Sequence, residues 1–168
     1  MHKNIKTIYF LSAFLIITLF IGFIYLKIEN LKVDKIYHFP SFNFYDLDSI
    51  SVNLDKNTLD KLLMIVHFNS ECGSCHYQLY ELINYQDSLT NVNVILVSEE
   101  NISTIRHFKQ QLKLEKSKFT VLRAANHSFY NIFGNVMTPS IFIYSSDKKL
   151  IKIFKGETQI KAILKHIP

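Results

Sequence analysis

The hydrophobic positions of this chain form one long block near the N-terminus and a series of short blocks after it. The long block, residues 8–26, contains no charged residue. A helix of this length, at about 1.5 Å per residue, reaches roughly 28 Å, which is enough to cross the hydrocarbon core of a bilayer. No pair of small residues typical of signal-peptide cleavage ends the block. The pattern therefore favours an uncleaved transmembrane helix over a cleaved signal peptide.

This block divides the chain into four predicted regions. Residues 1–7 form a cytoplasmic N-terminus, 8–26 the transmembrane anchor, 27–38 a charged linker and 39–168 a folded domain. Lysines flank the anchor on both sides, and a domain of this length translocates largely regardless of such charges. Because a short N-terminal anchor usually leaves its N-terminus in the cytosol, we expect a single pass through the cytoplasmic (inner) membrane. The domain would face the periplasm or the outside.

The short blocks alternate between the period of a strand and the period of a helix. Two short alternating runs within 39–54 predict a small β-hairpin. The blocks after it predict the order β-α-β-α-β-α-β-β-α. The predicted strands are 62–68, 93–97, 119–122, 141–144 and 150–154, and the predicted helices are 74–89, 102–112, about 128–133 and 160–167. This order is typical of an α/β domain with a central mixed sheet flanked by helices.

Composition and charge narrow the function. The chain has 168 residues, 48% of them hydrophobic, which suits one domain with a sizeable core beside the anchor. The net charge is +5, and without Lys3 and Lys6 it is 17 basic minus 14 acidic residues, or +3. No dense run of Lys and Arg stands out. The electrostatic footprint of a nucleic-acid-binding protein is therefore missing, and we expect no nucleic-acid partner.

The two cysteines, Cys72 and Cys75, stand where the predicted buried strand 62–68 gives way to a helix. A disulfide between residues three apart closes almost no loop, so it would stabilise the fold little. A helix N-terminus stabilises a thiolate and lowers the pKa of a cysteine placed there. The spacing predicts a redox pair, with Cys72 as the nucleophile that forms a mixed disulfide and Cys75 as the thiol that resolves it.

Three neighbours are candidate modulators of the thiol pKa values. The carboxylate of Glu71 beside the first cysteine opposes formation of a thiolate and so favours a reductant over a strong oxidant. His76 follows the second cysteine directly. His67 lies within the predicted strand, where a histidine is more often part of the core than a ligand.

These features resemble the thioredoxin superfamily, and within it the membrane-anchored TlpA-like and redoxin branch. The segments that carry the resemblance are the turn 68–75, the Thr138-Pro139-Ser140 sequence before a strand, and the closing strand 150–156. The resemblance implies a cis Thr138–Pro139 bond opposite the cysteines. It also implies that Thr138 and Pro139 bind an extended client segment by strand addition.

The resemblance further implies a membrane-tethered thiol–disulfide oxidoreductase that acts on client proteins with disulfides, as a reductant. Its other partners would be the lipid bilayer around residues 8–26 and a membrane electron donor, because the chain has no flavin or nicotinamide motif. The redox group would be the Cys72–Cys75 disulfide itself, with no further cofactor and no metal. Two departures bear on proton transfer: Val66 and Gln78 stand where relatives carry acidic residues.

Two other functions stay open at this point. Residues 72–76 also satisfy the C-x-x-C-H pattern of c-type haem attachment, with Met137 as a conceivable second axial ligand. That would make the domain an electron-transfer module. Alternatively, His67 and His76 with the two thiolates would make a copper site of a metallochaperone.

Overall fold

The computed structural model describes residues 2–40, 43–54, 61–124 and 128–167. The predicted loop at 55–60 and Asn126, the predicted cap of the helix near 128, lie outside these residues. The chain divides into two compact units, Met1–Lys35 and Ile36–Pro168.

The first unit is helical. Helix α1 runs from His2 to Tyr37, so its last two residues belong to the second unit. Its segment Tyr9–Lys27 is apolar and long enough to cross a membrane, and the side chains along it are exposed. Most of the segment predicted as a linker, residues 27–37, continues the helix. No Pro or Gly interrupts this segment, and Pro40 follows soon after the helix ends.

The second unit is built on one seven-stranded sheet within the described ranges. Its strands are β1 Phe44–Tyr45, β2 Ser51–Val52, β3 Leu62–His67, β4 Val92–Ser98, β5 Thr120–Ala124, β6 Ser140–Tyr144 and β7 Leu150–Lys155. Their order across the sheet is β2-β1-β5-β4-β3-β6-β7. Strands β3, β4 and β5 are parallel, and the remaining pairs are antiparallel. The predicted mixed sheet and the added N-terminal hairpin, β1–β2, are confirmed.

The helices of this unit are α2 Gly73–Asn84, α3 Ile102–Gln111, α4 Ser128–Phe133 and α5 Ile160–Leu164. Two of them are shorter than the sequence pattern predicts. After α2 the chain continues as a 3₁₀ turn, Gln86–Leu89. After α5, the N–H groups of His166 and Ile167 donate to carbonyls three residues back, at 3.0 and 3.1 Å. This tighter 3₁₀ bonding replaces the predicted last helical turn, although Ile167 still packs against the core.

Strand β3 is buried on both faces because helices cover each side of the sheet. Successive side chains of a strand point to opposite faces. Met64, Val66 and Phe68 contribute to the core on the side of α2, α3 and α5. Leu63 and Ile65 contribute to the core on the side of α4. This double burial explains the unbroken apolar run that identified the strand.

The strand directions bring three loops to one edge of the sheet. Because β3 and β4 are parallel, their carboxyl ends lie side by side, with His67 paired to Val97. Strand β6 runs the other way and pairs Ser140 with His67, so its beginning lies at the same edge. The turns after β3 and β4 and the loop before β6 therefore meet there, as is usual for functional sites in open α/β sheets.

Gly156, just after β7, has a backbone conformation that disfavours other residues. Its φ is +80°, and a Cβ added there would lie 3.3 Å from Met137 Sδ. We expect Gly156→Ala to lower the free energy of unfolding of the full chain in detergent by about 1–2 kcal/mol, measured by denaturant titration. Gly73→Ala is the control, because an added Cβ there meets nothing within 4 Å. Equal stability of both variants would contradict this account.

Candidate active site

The two cysteines lie at the N-terminus of α2, as predicted. Cys72 is the N-cap residue, and its Sγ accepts a hydrogen bond from the Cys75 backbone N–H at 3.2 Å. Cys72 is partly exposed, whereas Cys75 is 0% exposed and belongs to the core. Both are free thiols. The arrangement presents one sulfur to solvent and holds the second behind it.

The loop before β6 completes the site. The Thr138–Pro139 peptide bond is cis, as the family resemblance implied. The Cys72 thiol donates to the Thr138 carbonyl at 3.5 Å. Thr138 is half-buried and Pro139 buried. The nucleophile predicted from one segment is therefore in contact with Thr138, a client-binding residue predicted from another segment 66 positions away.

The acidity of the second thiol is set by its surroundings. Burial, followed by the hydrogen bond with Cys72, raises the pKa of the Cys75 thiol to about 12. This thiol therefore stays protonated near neutral pH until a group accepts its proton. Gln78, one turn further along α2, is fully buried, and its Oε1 accepts from the Thr158 backbone N–H at 2.7 Å. An amide at this position cannot accept the proton as a carboxylate would.

A carboxylate that sequence reasoning missed holds the turn before Cys72. Glu100, two residues after β4, accepts from the Ser70 backbone N–H at 2.8 Å and from Ser70 Oγ at 2.6 Å. It also accepts from Ser98 Oγ at 3.0 Å. Polar residues follow both β3 and β4 in the sequence, and this pattern could have pointed to the contact. Residues that follow adjacent parallel strands meet at one edge of the sheet.

Of the three predicted modulators, His76 and Glu71 lie at this edge. His76 Nε2 donates to the Ser70 carbonyl at 2.8 Å, and its ring packs edge-on against Phe108. Its side chain thus supports the turn. Glu71 is exposed next to Cys72, and its backbone N–H donates to Asn69 Oδ1 at 2.9 Å.

The structure places His67, the third predicted modulator, away from the thiols. By the alternation of β3, His67 points to the face covered by α4, whereas Cys75 lies in the core on the opposite face. Its ring stacks on Phe129 at 4.2 Å between centroids and meets Tyr130 edge-on at 5.3 Å. Desolvation in this aromatic surrounding lowers the pKa of His67 to about 4. The sequence could not show which face of a doubly buried strand each side chain occupies.

Comparison with known proteins assigns the family. The Redoxin family model matches residues 35–165, which is more than half of the chain. The chain belongs to the Redoxin family. With its pair of cysteines at the start of α2, this redoxin is a thiol–disulfide oxidoreductase. A search of curated protein sequences gives no match.

Solved structures with the same fold are distant in sequence. One is a secreted Mycobacterium tuberculosis disulfide oxidoreductase homologous to E. coli DsbE, with 12% identity, a TM-score of 0.64 and coverage of 79% of this chain and 96% of that chain. Another is StoA from Bacillus subtilis, with 14% identity, a TM-score of 0.58 and coverage of 74% and 94%. A thiol:disulfide interchange protein of the thioredoxin family from Chlorobium tepidum shows 12% identity, a TM-score of 0.64 and coverage of 77% and 92%.

The geometry of this redoxin suits exchange through two sulfurs in succession. The Cys72 thiolate attacks a disulfide, forms a mixed disulfide and releases one partner sulfur as a thiolate. Cys75, after losing its proton, then attacks the Cys72 sulfur. The Cys72–Cys75 bond forms, the mixed disulfide breaks, and the second partner sulfur leaves as a thiolate. In this direction two electrons pass to the partner, and in reverse the same steps return them to the cysteine pair.

The same geometry fits the two other candidate functions poorly. Haem attachment needs both cysteine sulfurs on the haem, but Cys75 is 0% exposed, and the Nε2 of His76 is engaged by the Ser70 carbonyl. A copper site of His67, His76 and the thiols fits poorly as well, because His67 lies on the other face of the sheet. Among the described residues, no group of three or more His, Cys, Asp or Glu side chains is arranged to hold a metal ion.

The buried His67 makes stability depend on pH. Its pKa is about 4 in the folded chain against 6.5 ordinarily, so the unfolded chain binds the proton more readily. Stability from this residue is complete above about pH 6.5 and is lost as the pH falls towards 4, by at most about 3 kcal/mol.

A His67→Phe variant tests this linkage, because phenylalanine fits the same aromatic surrounding and cannot titrate. Denaturant unfolding of the full chain in detergent at pH 7 and pH 4 measures the effect. We expect the loss of stability between these pH values to be smaller in the variant than in the wild type. The same loss in both proteins would show that His67 does not contribute.

Proposed function

We propose that this redoxin reduces disulfides of client proteins on the outer side of the cytoplasmic membrane. The observation that carries the proposal is the contact between the partly exposed Cys72 sulfur and the Thr138 backbone, with Cys75 buried behind it. A client strand that pairs with the backbone at Thr138 would place its own disulfide beside Cys72. The redox group is the cysteine pair alone.

The charges around the pair support the reducing direction. Strong oxidants of this chemical class depend on a strongly stabilised thiolate, which usually has a cationic neighbour. The segment 68–76 contains no Lys or Arg, and it places Glu71 next to Cys72. Its histidine, His76, donates to a backbone carbonyl instead of the thiols. The segment therefore places no Lys or Arg beside the sulfurs.

A tether in the cytoplasmic membrane would set where the domain works. Segment Tyr9–Lys27 has the length and composition of a membrane span. One of the structurally similar proteins is described as secreted, which is consistent with a domain outside the cytoplasm. The oxidised pair would then need two electrons from a membrane partner that itself carries a dithiol. Disulfide exchange with that donor would restore both thiols of the cysteine pair.

A Cys75→Ser variant tests the reductant proposal, because it retains the nucleophile and lacks the resolving thiol. After reduction, the full-length variant should form a covalent adduct with oxidised insulin, seen as a higher band on a non-reducing gel. It should form none with reduced insulin, since a lone thiol cannot oxidise one. Cys72→Ser is the matched control and should give no adduct.

A measurement on the wild-type chain tests the direction of electron flow. When cells that produce it are quenched in acid and their thiols alkylated, most of the protein should carry two labels, as expected for a reductant. A wild-type chain that carries its disulfide in cells and fails to reduce insulin would contradict the proposal.

The membrane tether has its own test. The full chain should stay in the membrane pellet after alkaline carbonate washing, and a protease added to spheroplasts should degrade the domain. A chain truncated before Lys27 should be recovered in the soluble fraction. Release of the full chain by carbonate, or a protected domain, would count against single-pass anchoring with the domain outside.

A further inference from the structure

Ser70, in the turn between β3 and α2, is held by all three of its polar groups. Its N–H and its hydroxyl donate to the Glu100 carboxylate, at 2.8 and 2.6 Å. Its carbonyl accepts from His76 Nε2 at 2.8 Å. The turn closes on itself through Cys72 N–H and the Asn69 carbonyl at 3.2 Å. Nearby groups thus fix the chain two residues before the nucleophile.

Glu100 is itself held in place. Its N–H donates to Ser98 Oγ at 3.2 Å, and that hydroxyl donates back to the carboxylate at 3.0 Å. Its carbonyl accepts from Arg123 Nε at 3.0 Å. Ser98 is 0% exposed at the end of β4. The carboxylate is therefore a fixed point of the sheet edge and not a mobile surface group.

We propose that Glu100 is a positioning residue which, through Ser70, holds Cys72 in place for attack by Cys75. Cys75 is fixed by burial in α2, whereas Cys72 lies between that helix and the turn, so a displaced turn would change the separation of the two sulfurs. An intramolecular step of this kind gains its rate from orientation, and a small displacement costs about tenfold to a hundredfold. This inference rests on thiol exchange through the cysteine pair.

The proposed role depends on hydrogen bonds and not on the charge of Glu100. A glutamine in its place offers one oxygen to the Ser70 N–H and Ser98 Oγ. Its amide N–H can donate to Ser70 Oγ, because a hydroxyl accepts as well as donates. Glu100→Gln should therefore keep the turn in position, whereas Glu100→Ala removes every bond from the carboxylate.

The reaction of the reduced full chain with an aromatic disulfide, dithiobis(nitrobenzoate), separates the two steps. Attack by Cys72 releases one coloured thiolate, and closure by Cys75 releases the second. In Glu100→Ala we expect the second release to slow about tenfold and the first to change less than about twofold. In Glu100→Gln both rates should stay within about twofold of the wild type. A general loss of stability would expose Cys75 and would not slow the second step alone.

Two further variants show whether the effect passes through Ser70. Ser70→Ala removes only the hydroxyl bond from Ser70 to the Glu100 carboxylate, so it should slow the second release less than Glu100→Ala does. The double variant of Ser70→Ala and Glu100→Ala should be no slower than Glu100→Ala alone. Glu99→Ala is the matched control, because this neighbouring carboxylate accepts from the Phe129 N–H of α4 at 2.9 Å. It should leave the ratio of the two rates unchanged.

An unchanged second release in Glu100→Ala overturns the inference, as does slowing in Glu100→Gln equal to that in Glu100→Ala. Should Glu100→Ala not fold, the inference is overturned if Ser70→Ala shows the same rate of second release as the wild type. The assay uses no protein client, so failure of the chain to reduce insulin would count against the proposed function and leave this measurement valid.

Discussion

The pairing of β3 with a parallel and an antiparallel neighbour is the constraint on which the site depends. On one side β4 ends where β3 ends, and on the other side β6 begins there. Three segments that are far apart in the chain thereby supply the nucleophile, the carboxylate that supports its turn and the backbone that contacts its sulfur. A shift of β3 by one residue would exchange its two faces and separate these groups.

The asymmetry between the cysteines follows from this placement. Cys72 is the N-cap of α2 and remains partly exposed, whereas Cys75, one turn further, enters the core. The same burial that raises the pKa of the second thiol also keeps it away from solvent oxidants and large disulfides. An incoming disulfide therefore meets Cys72 first, and the order of the two exchange steps is built into the fold.

The neighbours of the pair divide into groups that touch the thiols and groups that hold the backbone. The Thr138 carbonyl and the Cys75 N–H contact the Cys72 sulfur directly. Glu100 and His76 act on Ser70 instead. Two ionisable residues close to the redox pair thus bond to its backbone turn and not to the sulfurs.

The cis Thr138–Pro139 bond was expected from the family resemblance, whereas local pattern alone determined the long apolar block, the strand and helix order and the cysteine pair at a helix start. Each depends on residues close together in the chain, whose periodicity or backbone chemistry is visible there. The tertiary structure alone decided that His67 faces α4, that α5 ends at Leu164 and that Glu100 supports Ser70. A strand buried on both faces carries no periodicity that marks its sides, the last turn of a short helix is set by packing, and a hydrogen bond across 30 residues exists only once parallel strands have paired.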